Sequence, residues 1–187
     1  KPENLSGVIS QSIPVLAILG LGAGILMIAG EFDLSLGAAI TFNAIVFIKT
    51  SEAFGVGLGV LAGVLSGVAI AVINGLIVVT TKIPSFIATL GMSFFWAGAS
   101  IFINGTTPAI LLQSRDGLME FLFAHDFGSF RSQLVWLAII GTLAWVFLHR
   151  HKLGNHLFAV GGNAAAASAI SIHPTKVKLL AFAIFGG

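Results

Sequence analysis

The sequence predicts an all-α, polytopic transmembrane helical bundle. Three observations carry this. Only 9% of the 187 residues are charged, nine Lys and Arg against seven Asp and Glu, where a soluble domain carries about 25%. Mean hydropathy is +1.04, so most of the exterior faces lipid rather than water. The apolar residues also gather in long runs of helical length, without the alternation of a membrane barrel strand.

Five such runs and the start of a sixth are legible: Ile13–Gly30, Leu34–Ile48, Phe54–Val79, Phe86–Ile103, Leu134–Leu148 and Leu179 onward. Leu34–Ile48 and Leu134–Leu148 are short for a crossing, and either recruit flanking residues or are re-entrant. Lys1-Pro2-Glu3-Asn4 opens into a run too long for a signal peptide and without a cleavage site. The final run has about half the roughly 20 residues a crossing needs, so the expectation is a chain incomplete at its C-terminus; incompleteness at the N-terminus is expected as well. The reading is one transmembrane domain over 1–187, with spans near 13–30, 34–48, 54–79, 86–103, 134–148 and 179–187.

Basic residues orient these spans. His149–Lys178 holds Arg150, Lys152, Lys176 and Lys178 with no acid and is placed in the cytoplasm as a loop over 149–178. The segment 105–132 balances Arg115 and Arg131 against Asp116, Glu120 and Asp126 and is placed outside. Within it, Leu111–Phe123 reads as an amphipathic run along the membrane surface, a cap on the bundle or a partner surface.

Several functions are excluded. The chain has no Cys, hence no disulfide or thiol chemistry. A net charge of +2 does not suggest a nucleic-acid partner. The five His form no helical i, i+4 pair that would hold a metal, and His149 and His151 flank Arg150 as an interfacial anchor. No Gly-rich phosphate loop ending in Lys-Ser/Thr is present, and no nucleophile sits with a base.

The chemistry is concentrated in three stretches. In Gly30-Glu31-Phe32-Asp33-Leu34-Ser35-Leu36-Gly37, two carboxylates interrupt an otherwise apolar run. An isolated carboxylate in hydrocarbon costs several kcal/mol, so the pair marks a water-exposed loop or a broken helix lining a polar pathway. Asp33 or Ser35 is expected to cap a helix beginning near Leu34. In the second stretch, Asn74 and Thr89 lie inside apolar spans on either side of Pro84. They line a pathway or make interhelical hydrogen bonds. In the third, Asn163 is an N-cap for a short helix over Ala164–Ile172, with Pro174 beyond it. The span 54–79 adds Gly55, Gly59, Gly63, Gly67, Ala71 and Gly75 at every fourth position. That groove admits a close helix, from this chain or from a second copy.

Together these stretches resemble the ribose-type sugar permeases of bacterial ABC importers, over essentially the whole chain. The family signature G-G-I-D-L-S-V-G is matched by Gly30 to Gly37. N-G-L followed by P-x-F-I-x-T-L-G is matched by Asn74-Gly75-Leu76 and Pro84 to Gly91. A-V-G-G-N-x-x-A-A followed by V-K-L is matched by Ala159 to Ala167 and Val177-Lys178-Leu179. The chain departs at Glu31, where the family has Gly, at Ala97-Gly98, where many members have Arg-Gly, and at Ser171, where Gly is usual.

The resemblance implies an inner-membrane permease of the ABC importer type, a fragment of one, working beside a second permease subunit, identical or not. Two ABC ATPase subunits would supply ATP and Mg chemistry, with no cofactor bound by this chain, and an extracytoplasmic sugar-binding protein would deliver solute. On this reading Glu31, Asp33, Ser35, Asn74 and Thr89 belong to the translocation pathway, and Gly161, Gly162, Asn163, Ala164 and Ala167 couple to the ATPase. The rivals are a branched-chain amino acid or nucleoside permease of the same superfamily, an ion-coupled secondary transporter using Glu31 and Asp33, and a membrane scaffold.

Overall fold

The computed structural model describes residues 2–107, 110, 126–127 and 130–186, with the backbone alone described for 2–11 and for 126, 127, 130 and 131. The expected amphipathic run Leu111–Phe123 lies outside them. Helices dominate: α1 (Pro2–Ile28), α2 (Leu36–Phe54), α3 (Val56–Thr81), α4 (Ser85–Asn104), α5 (Ser132–Arg150), α6 (Lys152–Gly162), α7 (Ala164–Ala169) and α8 (Pro174–Gly186). A two-residue antiparallel pair, β1 (Asp126–Phe127) with β2 (Phe130–Arg131), precedes α5.

Among the described residues α3, α4 and α5 are long and apolar enough to cross a membrane, and Ser12–Ile28 is a shorter apolar helix. Their outward faces are apolar, with Phe102 91% exposed and Phe94, Leu61 and Leu143 also bare. A water-soluble surface does not carry such a coat. Helix α2 runs on through Lys49 and Glu52 to Phe54; it is as long as α5 but is not among the helices apolar enough to cross.

The residues sort into two compact units. The first is Lys1–Gly24 with Ser114–Asn155, the second Ile25–Gln113 with His156–Gly187. In the first, Gly141 of α5 faces Leu21 of α1. Gly154 lies against the carbonyls of Phe147 and Leu148, closer than any Cβ could, which permits the tight turn from α5 into α6.

In the second unit α3 is the centre, packed against α2, α4 and α8. Its small residues explain this. A Cβ at Gly59 would strike Ser51 and the Phe47 carbonyl of α2, one at Gly67 the Gly186 carbonyl of α8, and one at Gly75 the Phe182 ring at 2.9 Å. Gly63 faces Phe47, and Ala71 is buried against Gly186. The groove is therefore filled by helices of this chain. Gly55 stands apart from it: φ is +91° there, and it forms the turn between α2 and α3 with its N–H on the Ser51 carbonyl.

Helix ends follow local chemistry. Gly30, at φ +81°, ends α1 in a Schellman turn: its N–H reaches the Met27 carbonyl, and the Glu31 N–H reaches that of Leu26. Helix α7 ends the same way, Ser171 N–H to Ser168 and Ile172 N–H to Ala167, but with Ser171 at φ +66° in the glycine position. This stops α7 at Ala169, short of the expected Ile172. Pro174 opens α8 at its first position, where its missing N–H costs nothing. Helix α6 was not expected in the 149–178 loop. It forms because Gly154, Leu157 and Val160 recur on one buried face.

Candidate functional site

The break between α1 and α2 is built around Asp33. Its Oδ1 accepts from the Ser35 N–H at 2.7 Å and from the Ser35 hydroxyl at 2.6 Å. Its Oδ2 accepts from Asn74 Nδ2 at 3.0 Å. Asn74, wholly buried on α3, also donates to Ser35 Oγ at 2.7 Å and accepts from Trp96 Nε1 at 3.3 Å. Neither Asp33 nor Ser35 caps the N-terminus of α2 with its side chain. Ser35 is at the N-cap position with an αR backbone, its hydroxyl is committed to Asp33, and the helix begins at Leu36 rather than near Leu34.

Helix α4 holds the same loop through its first turns. The Phe32 N–H donates to Ser85 Oγ at 2.9 Å and the Leu34 N–H to Thr89 Oγ1 at 3.0 Å. Thr89 Oγ1 in turn lies 2.8 Å from the Ser85 carbonyl and 3.3 Å from that of Phe32. The Phe32 and Leu34 amides of the loop thus find partners on α4, while Asn74 of α3 holds its Asp33 and Ser35 side chains. Trp96 is braced by Phe42 and Phe95 edge to face, with centroids 5.2 and 5.0 Å away.

Glu31 points elsewhere. Its buried carboxylate pairs with Lys178 in the second turn of α8. Both line a cavity of about 600 Å³ bounded also by Val78, Lys82, Pro84 and Pro174. The five residues assigned to a pathway are therefore brought to one loop and its walls, but in two arrangements. Asp33, Ser35, Asn74 and Thr89 form a satisfied internal knot, and Glu31 faces the open cavity.

Trp96, Ser85 and Lys178 are part of this construction and were not read from the sequence as such. Trp96 sits in an apolar run, where its N–H gives no signal. Ser85 reads as a helix start. Lys178 reads as one of the basic residues that orient the spans until the fold sets it beside Glu31.

The residues assigned to coupling separate too. Asn163, extended at φ −158°, caps α7 by accepting the Ala166 N–H at 3.0 Å. Ala167 is buried and Ala164 half-buried, leaving Ala165, Ala166, Ser168 and Ala169 on an open face beside Ile170. A Cβ on Gly161 would collide with the Ile28 carbonyl at the end of α1, so Gly161 is a packing residue. Gly162 has nothing within 4 Å of the same position, so that side of it is open.

Among the described residues no group of three or more His, Asp or Glu could hold a metal ion. Asp33 accepts three hydrogen bonds and Glu31 has a cationic partner, so both carboxylates are engaged within the chain.

Over residues 4–187 the chain matches the family model described as branched-chain amino acid transport system / permease component. It is 29% identical over 189 residues to the L-arabinose ABC transporter permease protein AraH of Azospirillum brasilense, covering 99% of this chain and 54% of that protein. It is 30% identical over 169 residues to the inner membrane ABC transporter permease protein YjfF of Escherichia coli, covering 88% and 51%. With the ribose import permease protein RbsC of the same organism it shares 27% over 191 residues, covering 98% and 58%. The chain spans about half the length of the curated relatives it matches. No solved structure matches it.

Proposed function

Because the chain belongs to the permease-component family of branched-chain amino acid transport systems, we propose that it forms part of the membrane-spanning subunit of an ATP-driven, binding-protein-dependent importer of a simple sugar. The family makes it a transport subunit rather than an enzyme, in a multi-pass inner-membrane protein. The observation that carries the sugar reading is that relatives named for arabinose, ribose and fructose align over 95% to 99% of the chain.

In this reading a second permease subunit completes the pathway, and an extracytoplasmic binding protein supplies solute. The Asp33–Asn74 knot holds loop 29–35 rigid between α3 and α4, while the Glu31 cavity is the part free to change. ATP and Mg belong to the partner ATPase, and the open face of α7 with Gly162 is the surface offered to it. ATP drives the cycle only through contacts that differ between the two states. The ion-coupled alternative is the less favoured reading, since Asp33 and Glu31 are both engaged by donors or a cation of the chain itself.

The test reconstitutes the full-length permease with its ATPase and binding protein in proteoliposomes. Uptake of labelled arabinose, ribose and fructose is compared with leucine, with and without ATP and with the ion gradients collapsed. Sugar uptake that requires ATP and survives collapse is expected. Leucine uptake would move the substrate to amino acids, and gradient-dependent uptake without ATP would overturn the reading. Gly162→Asp should abolish co-purification of the ATPase while leaving the fold intact, since that position is sterically open.

A further inference from the structure

The end of α5 carries a group of side chains that the transport reading does not use. Helix α5 is a candidate span with only 6% of its apolar window buried. At its C-terminal end come Trp145, His149, Arg150 and His151, then Lys152 at the start of α6, all exposed. No Asp or Glu occurs anywhere after Asp126. Among the described residues Arg150 and Lys152 have no ion-pair partner. Both cations are exposed and open to what lies outside the helix.

The two His rings are held rather than loose. His149 stacks on Trp145 with centroids 5.4 Å apart and planes 23° apart, and its Nδ1 lies 2.9 Å from the Trp145 carbonyl. His151 stacks on Phe147 at 5.8 Å and 21°. The Leu153 N–H donates to His151 Nδ1 at 3.3 Å. A nitrogen that accepts carries no hydrogen, so the hydrogen of the His151 ring sits on Nε2, as an outward donor. Trp145 is 52% exposed at the end of an apolar span, the setting in which Trp marks the headgroup level of a bilayer. At 1.5 Å per residue, Arg150 lies about 7.5 Å further along the axis, on the polar side of that ring.

We propose that this patch binds the phosphodiester headgroup of an anionic phospholipid, with Arg150 and Lys152 supplying charge, His151 Nε2 a hydrogen bond, and Trp145 the ring that sits between glycerol and chain. Charge complementarity selects the occupant: a cation-only cluster at the membrane surface meets anionic lipid favourably, by about 1 kcal/mol per Lys or Arg, or about fivefold each. The proposal concerns lipid selection and holds whichever solute is carried.

The full-length permease is placed in nanodiscs of phosphatidylcholine containing a minor fraction of either brominated phosphatidylglycerol or brominated phosphatidylcholine. The Trp145 contribution to fluorescence quenching is isolated by subtracting the signal of Trp145→Phe. Brominated phosphatidylglycerol is expected to quench Trp145 at a several-fold lower mole fraction. Arg150→Gln with Lys152→Gln should erase that preference, while Arg150→Lys with Lys152→Arg keeps it. Equal quenching by the two lipids in the wild type would overturn the proposal, as would a preference that survives the double Gln variant. If millimolar inorganic phosphate abolishes the preference, the patch is a free-phosphate site and the lipid assignment fails.

Discussion

Lys178→Met should destabilise the permease more than Glu31→Gln, and combining them should recover stability relative to Lys178→Met alone. The reason is an asymmetry in burial. The Glu31 side chain is 7% exposed and that of Lys178 27%. Removing the lysine leaves a largely buried carboxylate without its cation, and breaking a buried pair this way costs about 3–5 kcal/mol. Removing the carboxylate leaves an ammonium that turns toward the adjoining cavity and hydrates, so the cost falls toward the exposed-pair range of about 0–1 kcal/mol. Partial exposure of Lys178 discounts the first figure, and about 3 kcal/mol against about 1 kcal/mol is expected. In Glu31→Gln/Lys178→Met no charge is stranded, so about 1–2 kcal/mol should return. The assay is a double-mutant cycle on the full-length permease in detergent, by reversible denaturation or, failing reversibility, by the order of midpoints at one scan rate. Additive effects, or a double variant no better than Lys178→Met, would refute the pairing.

Three further outcomes follow from the same geometry. Asn74→Leu removes the donor to Asp33 and Ser35 and the acceptor of Trp96 together, and should cost about 2–4 kcal/mol in the same denaturation assay, with Trp96 fluorescence altered. Gly75→Ala meets the Phe182 ring at 2.9 Å and should cost about 1–3 kcal/mol, whereas Gly91→Ala enters open space and should be neutral or slightly stabilising through helix propensity. Ser171→Gly relieves a non-glycine residue at φ +66° in the Schellman turn after α7 and should stabilise by about 1 kcal/mol, while Ser171→Val should do the opposite.

Burial explains what could be read in advance. Charge scarcity and long apolar runs dictate helices in lipid, because hydrocarbon leaves no other way to satisfy the backbone. The interruption at Gly30–Gly37 was legible for the same reason, since two carboxylates and two glycines cannot continue an apolar helix unnoticed. The four-residue spacing of small side chains in α3 announced close helix contact, a property of one helix face and therefore of local sequence. The short capped helix after Asn163 was equally local. The extent of α2 and the existence of α6 were less so, because weakly apolar helices depend on the surface they pack against.

Partnership is what the sequence by itself left open. Glycine spacing gave a groove but not its occupants, and α2 and α8 fill it because Phe47, Gly186 and Phe182 come from segments distant in the chain. Glu31 and Asp33 are two residues apart and chemically alike, yet one pairs with Lys178 and the other with Ser35 and Asn74. Nothing local separates them; the direction each side chain takes at the end of α1, and what α3 and α8 place there, does. The sequence determined that carboxylates break a membrane helix at this point, since solvation energy is a property of the residue. Only the tertiary structure decided which cation and which donors answer them, since a hydrogen bond or an ion pair exists only where two groups are brought within about 3 Å.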